Sequence, residues 1–178
     1  SQHAQNMERY FIGVPGLKVV AASNAYDAKG MLKSAIRDDN PVIMFDHKLL
    51  YGSKGARAET GAIDSSSDIP DEDYTVPLDK AAICREGSDC TILSWLLMLH
   101  HSKTAAATLD SEDTSVEVID LRSLSPFDYE TIGKSIEQTG HAVIVEEVAI
   151  AGGGGAELAT GITERFAGDL MAPVRRVA

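Results

Sequence analysis

Residues 24–41 restrict the fold of this chain more than any other stretch, because they specify one helix together with both of its ends. Apolar side chains recur three and four positions apart, as they do on one buried face of a helix: Ala28, Met31, Leu32, Ala35 and Ile36. Asn24 can cap the first turn, and the carboxylate of Asp27 suits the positive end of the helix. Pro41 prevents the helix from continuing. The stretch therefore predicts an amphipathic helix with a defined start and end.

Apolar runs at residues 17–22 and 42–45 flank this helix. Each run has the length of a buried strand, so the unit is predicted to be a strand, a helix and a second strand. Such a unit forms one crossover of a parallel sheet.

The same alternation returns in the second half of the chain. We predict strands at residues 91–95, 116–120, 142–145 and 174–177, and helices at about 96–109, from 128, and at about 156–166. A further helix is predicted at the start, from Gln2 to about Ile12, with Met7, Tyr10 and Phe11 facing the core. Strands that alternate with helices predict an α/β fold with mostly parallel, doubly wound sheets.

Residues 53–68 separate the two parts and are rich in glycine, serine and charged residues. Such a segment buries too little apolar surface to offset its conformational entropy, so we expect an exposed, mobile linker. We therefore divide the chain into residues 1–52, a linker at residues 53–77, and residues 78–178, with two α/β units rather than one continuous sheet.

Composition excludes several classes of protein. The formal net charge of −11 argues against binding to nucleic acid, which needs a surplus of lysine and arginine. No run of eighteen apolar residues occurs, so no segment of the chain is expected to insert into a membrane. Cys84 and Cys90 have no accompanying pair of cysteines or histidines, and the five histidines lack the spacing of metal ligands. We therefore expect neither a zinc site nor a disulfide.

Several stretches along nearly the whole chain resemble one family. They are residues 14–52, 69–78, 116–126, 143–147 and 172–177. The chain is similar there to the beta subunits of the thiamine-diphosphate-dependent 2-oxoacid dehydrogenases, and within that family to the pyruvate dehydrogenase first component. Residues 26–30 and 47–51 most resemble the cyanobacterial and plastid members, which favours a chloroplast stroma or a cyanobacterial cytoplasm over a mitochondrial matrix.

The resemblance implies a fold, an activity and partners. Residues 1–52 would be the last part of a thiamine-binding pyrimidine domain, and residues 78–178 a transketolase C-terminal-like domain. The chain would then be a fragment that starts within the first domain and stops before the end of the second. The family oxidatively decarboxylates pyruvate and acetylates lipoyl groups, as an alpha2-beta2 tetramer with an alpha subunit that docks on a dihydrolipoyl acetyltransferase core. We expect this fragment alone to be inactive.

The resemblance also implies candidate site residues. His3 matches the histidine of a Gln-His-Ser-Gln motif beside the thiazolium ring, and Ala4 replaces the serine of that motif. A histidine suits this position because it can hold or transfer a proton near neutral pH. The glutamate that activates thiamine diphosphate would lie before Ser1, while the alpha subunit would bind the diphosphate and its magnesium. Backbone carbonyls and a polar side chain at four positions would bind potassium: Ala35, Ile36, Asp38 and Asn40.

Other features keep alternatives open. The glycine run 152–155 opens a helix as a dinucleotide loop does, but Glu157 stands where the third glycine of that motif would be, so we interpret the run as a tight turn. Gly154 replaces an isoleucine of the family and is expected to loosen the packing, and residues 95–97 also depart from the family pattern. Glu146 and Glu147 end a strand where ligands of such sheets bind. The alternatives are a branched-chain 2-oxoacid dehydrogenase, a deoxyxylulose phosphate synthase, and a noncatalytic scaffold subunit.

Overall fold

Strands and helices alternate along the chain as predicted, and the computed structural model describes residues 6–51 and 63–178. The strands are β1 (Lys18–Ala21), β2 (Val42–Phe45), β3 (Ala82–Arg85), β4 (Cys90–Ser94), β5 (Val116–Asp120), β6 (Ser123–Ser125), β7 (Ala142–Val145) and β8 (Arg175–Val177). The helices are α1 (Ala25–Arg37), α2 (Leu96–Leu109), α3 (Tyr129–Thr139) and α4 (Gly154–Phe166). We call the described residues before residue 78 the first half and residues 78–178 the second half. None of the described helices is both long and apolar enough to cross a membrane.

The strands form two sheets, and most of the pairs within them are parallel. The first sheet has the order β2-β1-β6 and the second the order β3-β5-β4-β7-β8. Only the pairs β1–β6 and β3–β5 are antiparallel among the described strands. The predicted α/β fold with mostly parallel sheets is therefore confirmed.

Strand β6 belongs to the second half by sequence but pairs with β1 of the first half. The chain leaves β5 at Asp120 and turns at Arg122, whose φ of 54° lies in the left-handed region. The Arg122 carbonyl accepts the Ala21 N–H at 2.7 Å, and the register then matches Val19 with Ser125. The sequence analysis missed β6, as it missed the antiparallel edge strand β3.

Helix α1 has the predicted ends but a different buried face. Asn24 Oδ1 accepts the Asp27 N–H at 2.9 Å, which confirms the predicted cap. Met31 is fully buried, whereas Leu32 and Ile36 are 51% and 76% exposed, so the predicted face is wrong at these two positions. Residues 74–78 cover the helix on the side of Gly30, where a Cβ would lie 2.9 Å from the Tyr74 ring. The buried face of α1 therefore lies on the side of Gly30 and Met31 rather than on the side of Leu32 and Ile36.

The described part of the predicted linker packs against the first half. Ser65 is buried, and its hydroxyl donates to the Leu50 carbonyl at 3.2 Å. Tyr74 stacks on Tyr26 with ring centroids 4.5 Å apart, and Val76 is buried beside α1. Within residues 63–68, the expectation of an exposed segment is wrong at Ser65, while Asp64, Ser66 and Asp68 are exposed as predicted. The mobility of the segment stays a prediction. Residues 53–62 lie outside the described residues.

The predicted first helix is also replaced by shorter structure. From residue 6 onward there is only a 3-10 turn at Glu8–Tyr10, and the earlier residues lie outside the described part of the chain. Met7 and Tyr10 are 45% and 53% exposed, which contradicts their predicted place in the core, while Phe11 packs against the core as predicted. The turn instead buries Glu8, and Phe11 and Ile12 pack against the core beside it.

One hydrophobic core joins the two halves. It contains Val19 and Ala21 of β1 together with Leu93, Ile119 and Ile144 of the second sheet. A smaller cluster around Met31 lies within the first half. The two sheets are separate, as predicted, but both contribute side chains to the same core. This core fixes the position of one sheet relative to the other.

Candidate functional site between the two halves

Polar side chains from both halves meet at a boundary that we call the seam. It includes residues that directly follow strands, namely Ser23 after β1, His47 after β2, Trp95 after β4 and Glu146 and Glu147 after β7. The carboxyl ends of parallel strands are where α/β folds bind ligands. The seam is therefore the part of the described structure that fits a site best.

A buried carboxylate crosses the seam close to the start of the described chain. Glu8 is 1% exposed, and its Oε1 accepts the indole N–H of Trp95 at 3.1 Å. Burial raises the pKa of the Glu8 carboxyl above 4.5, and the nearby charges of Glu146 and Glu147 add to the shift. A carboxyl of this kind can hold a proton at a pH where an exposed glutamate has lost it.

A histidine and a glutamate form a second contact across the seam. His47 Nε2 lies 2.9 Å from Glu147 Oε2, and His47 Nδ1 accepts the Leu49 N–H at 3.2 Å. Since Nδ1 is the acceptor, the proton of the neutral ring lies on Nε2 and points at the carboxylate. The ring is thus held in one orientation and one tautomer.

The glycine run does not form a phosphate site, because a carboxylate already occupies the start of its helix. Glu146 is 2% exposed, and its Oε2 accepts the Gly155 N–H at 2.9 Å. Its other oxygen accepts from Arg176, with Nε at 3.2 Å. The N-terminal end of α4 is therefore already neutralised by Glu146, which supports the interpretation of the run as a tight turn. The acidic residue responsible is Glu146, not Glu157 as the sequence suggested.

Gly154 permits close packing rather than loosening it. It is buried, and a Cβ at this position would lie 2.8 Å from Ile12 Cδ1 of the first half. The expectation that Gly154 loosens the packing is therefore wrong, because Ile12 fills the space that a larger side chain would need.

Of the predicted site residues, only the potassium ligands lie in the described part of the chain. His3 lies outside the described residues. The four predicted potassium ligands, Ala35, Ile36, Asp38 and Asn40, lie at and just after the end of α1. No group of three or more histidine, cysteine, aspartate or glutamate side chains among the described residues could hold a metal ion.

The carboxylate at the end of α1 is already engaged. Asp38 Oδ1 accepts the backbone N–H of Asn40 at 2.9 Å and its side-chain amide at 3.0 Å, and Oδ2 accepts from Lys18. The Lys18 ammonium and the Asn40 donors lower the pKa of Asp38 to about 2. The Ala35 carbonyl accepts only a long bond, 3.4 Å, from the Asp38 N–H. A cation there would be held by backbone carbonyls rather than by the carboxylate.

Two family descriptions match the chain. Residues 1–54 match the transketolase pyrimidine binding domain, and residues 79–178 match the transketolase C-terminal domain. The chain belongs to the transketolase family.

Curated proteins of similar sequence include two beta subunits of pyruvate dehydrogenase. This transketolase-family chain is 43% identical over 178 residues to "Pyruvate dehydrogenase E1 component subunit beta" of Porphyra purpurea, which covers 100% of the chain and 50% of that protein. It is 45% identical over 174 residues to "Pyruvate dehydrogenase E1 component subunit beta-2, chloroplastic" of Arabidopsis thaliana, covering 98% of the chain and 40% of that protein. The chain thus spans half or less of the length of these curated relatives.

A solved structure shows the same fold. It is described as "Split gene transketolase, inactive beta4 tetramer" and superposes with a TM-score of 0.73 at 23% identity. The match covers 95% of this chain and 50% of that one. At this identity the likeness supports the transketolase-like fold alone.

Sequence reasoning missed several polar residues of the seam. Glu8 fell within a predicted helix, and Asp120 and Arg122 were treated only as part of a strand and a family motif. Asp120 is fully buried, and Arg122 pairs with Asp27 across the seam, with Nη2 and Oδ1 2.7 Å apart. The available signal was an acidic residue inside an apolar run, which is unfavourable unless the residue has a partner.

Proposed function

We propose that this chain acts as the beta subunit of a pyruvate dehydrogenase first component. The observation that carries the proposal is 43–46% identity to proteins named "Pyruvate dehydrogenase E1 component subunit beta", over 86–100% of the chain. The reaction would be the oxidative decarboxylation of pyruvate followed by reductive acetylation of a lipoyl group. Because the chain spans about half of the Porphyra purpurea relative, the activity would need further polypeptide.

The cofactor of this proposal is thiamine diphosphate with magnesium. The described residues do not fit a diphosphate at the glycine run, since Glu146 already binds the N–H of Gly155 there. No described cluster of acidic side chains suits magnesium either. The diphosphate and its metal would therefore be bound by an alpha subunit, and the activating glutamate would come from the part of the relatives that this chain does not match. His3 would act beside the reacting carbon by holding or transferring a proton.

Potassium would bind at the end of α1. The carbonyls of Ala35, Ile36, Asp38 and Asn40 fit this role, since orphan carbonyls at a helix C-terminus attract a hard cation. The Asp38 carboxylate would support the loop rather than the ion, because it already accepts from Lys18 and Asn40.

The proposed assembly is an alpha2-beta2 tetramer docked on a dihydrolipoyl acetyltransferase core. Several relatives are chloroplastic by name, which supports a plastid location and, more finely, the stroma. The domain division that we propose, residues 1–52, 53–77 and 78–178, follows the same assignment.

A second candidate is a noncatalytic scaffold subunit. One observation favours it: the chain departs from the family pattern at Ala4, at residues 95–97 and at Gly154. A branched-chain 2-oxoacid dehydrogenase differs from the main proposal only in substrate.

Activity measurements on an assembled protein test these proposals. The chain would be fused to the unmatched N-terminal part of the Porphyra purpurea beta subunit and combined with the alpha subunit of that organism, and ferricyanide reduction would be measured. We expect turnover with pyruvate, much less with 3-methyl-2-oxobutanoate, and none from the 178 residues alone. An assembled tetramer without turnover would support the scaffold, and a preference for the branched substrate would support the branched-chain enzyme.

His3 is tested in the same assembly. His3→Ala should lower turnover by about 10²–10⁴-fold while thiamine diphosphate affinity changes little. His101→Ala provides the control, because His101 is exposed on α2. Near-normal turnover of the His3 variant would remove this residue from the proposed mechanism.

A further inference from the structure

Two residues of the second half have an unusual backbone conformation at the seam. Leu96, the first residue of α2, has a φ of 52°, and Arg122, which turns the chain from β5 into β6, has a φ of 54°. L-residues other than glycine rarely adopt positive φ, least of all residues with bulky side chains. Such conformations persist only where surrounding contacts hold them.

Leu96 is held by a residue of the first half. The side chain of Trp95, which lies at the N-cap position of α2, makes no capping hydrogen bond. Instead, Ser23 Oγ accepts the Leu96 N–H at 2.9 Å, and the Ser23 carbonyl accepts from His100 Nε2 at 2.8 Å. Ser23 is fully buried, so both contacts are shielded from solvent. Helix α2 is therefore capped by a side chain that lies 73 positions earlier in the sequence.

Arg122 is held by another residue of the first half. Its guanidinium makes two contacts with Asp27, Nη2 to Oδ1 at 2.7 Å and Nε to Oδ2 at 3.0 Å. The Asp27 side chain is 1% exposed and that of Arg122 is 20% exposed, so the carboxylate is buried while the guanidinium partly reaches solvent. The Arg122 N–H also donates to Asp120 Oδ1 at 3.1 Å, and its carbonyl accepts from Ala21. Every one of these contacts stabilises the turn that leads into β6.

We propose that Ser23 and Asp27 form a latch by which the first half imposes the left-handed conformations of Leu96 and Arg122 on the second half. The start of α2 and the strand β6 then take their structure only while the first half is docked. The latch is a conformational device of the fold, and it does not depend on the proposed enzymatic activity. A structural change at the end of β1 or the start of α1 would therefore directly alter the start of α2 and the strand β6.

Amide hydrogen exchange on the full 178-residue chain tests the latch. Ser23→Ala should accelerate exchange at residues 96–99 roughly tenfold, because the lost cap frees the first turn of α2. Asp27→Asn keeps the size of the side chain but loses its charge, and should accelerate exchange at residues 122–125 by a similar factor. Ser111→Ala is the control, since the Ser111 hydroxyl donates only locally, to Thr108 at the other end of α2.

The pattern of exchange decides the outcome. Acceleration confined to these two segments, with the interior of α3 unchanged, supports the latch. Unchanged exchange at both segments overturns it, as does an equal acceleration across α2, α3 and α4, which indicates a general loss of stability. A variant that fails to fold at 5 °C by circular dichroism also counts against the latch, because the proposal assigns these contacts to two segments and not to the whole fold.

Discussion

Trp95 donates its indole N–H to the carboxylate of Glu8 at 3.1 Å, and both side chains are almost completely buried. The two residues lie 87 positions apart and belong to different halves of the chain. This hydrogen bond fixes the segment at residues 6–12 against the start of α2. It also places a carboxyl whose pKa is raised by burial inside the seam.

Trp95→Phe should destabilise the protein by about 1–3 kcal/mol, because it removes the indole donor of the buried Glu8 carboxyl. Urea unfolding followed by circular dichroism measures the loss. Tyr10→Phe is the matched control, since the Tyr10 hydroxyl accepts an exposed hydrogen bond from Arg9. A loss for Trp95→Phe no greater than for the control would show that the bond contributes nothing.

Glu8→Gln should remove a dependence of stability on pH. The pKa of Glu8 is raised in the folded protein, so the folded state binds the proton more tightly than the unfolded state. The free energy of unfolding therefore falls as the pH rises from about 4.5 through the raised pKa. We expect Glu8→Gln, which keeps an acceptor for Trp95, to be at least as stable as the wild type at pH 8. A variant markedly less stable at pH 8 would show that the charge itself is needed.

Asp120→Asn should also remove a dependence of stability on pH, and the effect should be larger than that of Glu8→Gln. Burial raises the pKa of Asp120 from 3.8 to about 7. The wild type should therefore lose unfolding free energy between pH 5 and pH 8 relative to the variant, on the order of 2–3 kcal/mol. Denaturant unfolding of both proteins at the two pH values measures the difference, with the exposed Asp169→Asn as control. Parallel pH profiles for wild type and Asp120→Asn would contradict the prediction.

Gly155→Ala should be destabilising by about 1–3 kcal/mol, because overpacking forces neighbours to move. A Cβ at Gly155 would lie 2.8 Å from the Glu146 carboxyl carbon and 2.9 Å from Ile144 Cγ2. Gly168→Ala is the control, as no atom lies within 4 Å of a Cβ there. Thermal unfolding compares the two. Equal melting temperatures would mean that the Glu146 carboxylate can move away without cost.

Potassium should stabilise the proposed site at the end of α1. Raising potassium chloride to about 100 mM should increase the melting temperature more than the same concentration of sodium chloride, because a ligand that binds only the folded state stabilises it. Asn40→Pro would serve as the test variant, since it removes the N–H that Asp38 binds and alters the loop. Identical effects of the two salts on the wild type would argue against a specific site.

Most strands and helices could be predicted because their signals are local. The bounds of β2, α2, β5 and β7 agree with the prediction, and Asn24 and Asp128 cap their helices by bonds that span three residues. Where the prediction was wrong, distant segments decide the outcome. Leu32 and Ile36 are exposed because residues 74–78 cover another side of α1. The spacing of apolar residues within α1 gives no information about this contact.

The candidate site could be predicted only in part. His3 and the potassium ligands came from resemblance. His3 lies outside the described residues, and the potassium ligands lie at the end of α1 rather than at the seam. The contacts that form the seam join residues far apart in sequence, such as Ser23 with Leu96 and Asp27 with Arg122. Buried acidic residues in the middle of apolar strands indicate that partners exist, but the partners depend on how the two sheets meet.

Strand β6 lies in the second half of the sequence but pairs with β1 of the first half, and this pairing limits which segments can be exchanged between relatives. A cut at residue 78 would leave β1 with an unpaired edge on the side where Ser123–Ser125 now bind, and exposed edges promote association with other chains. The second half would in turn carry a short strand with no sheet to join. A functional chimera would have to take residues 122–125 from the same parent as residues 18–27. The segments that must be exchanged together in this fold are therefore not continuous in sequence.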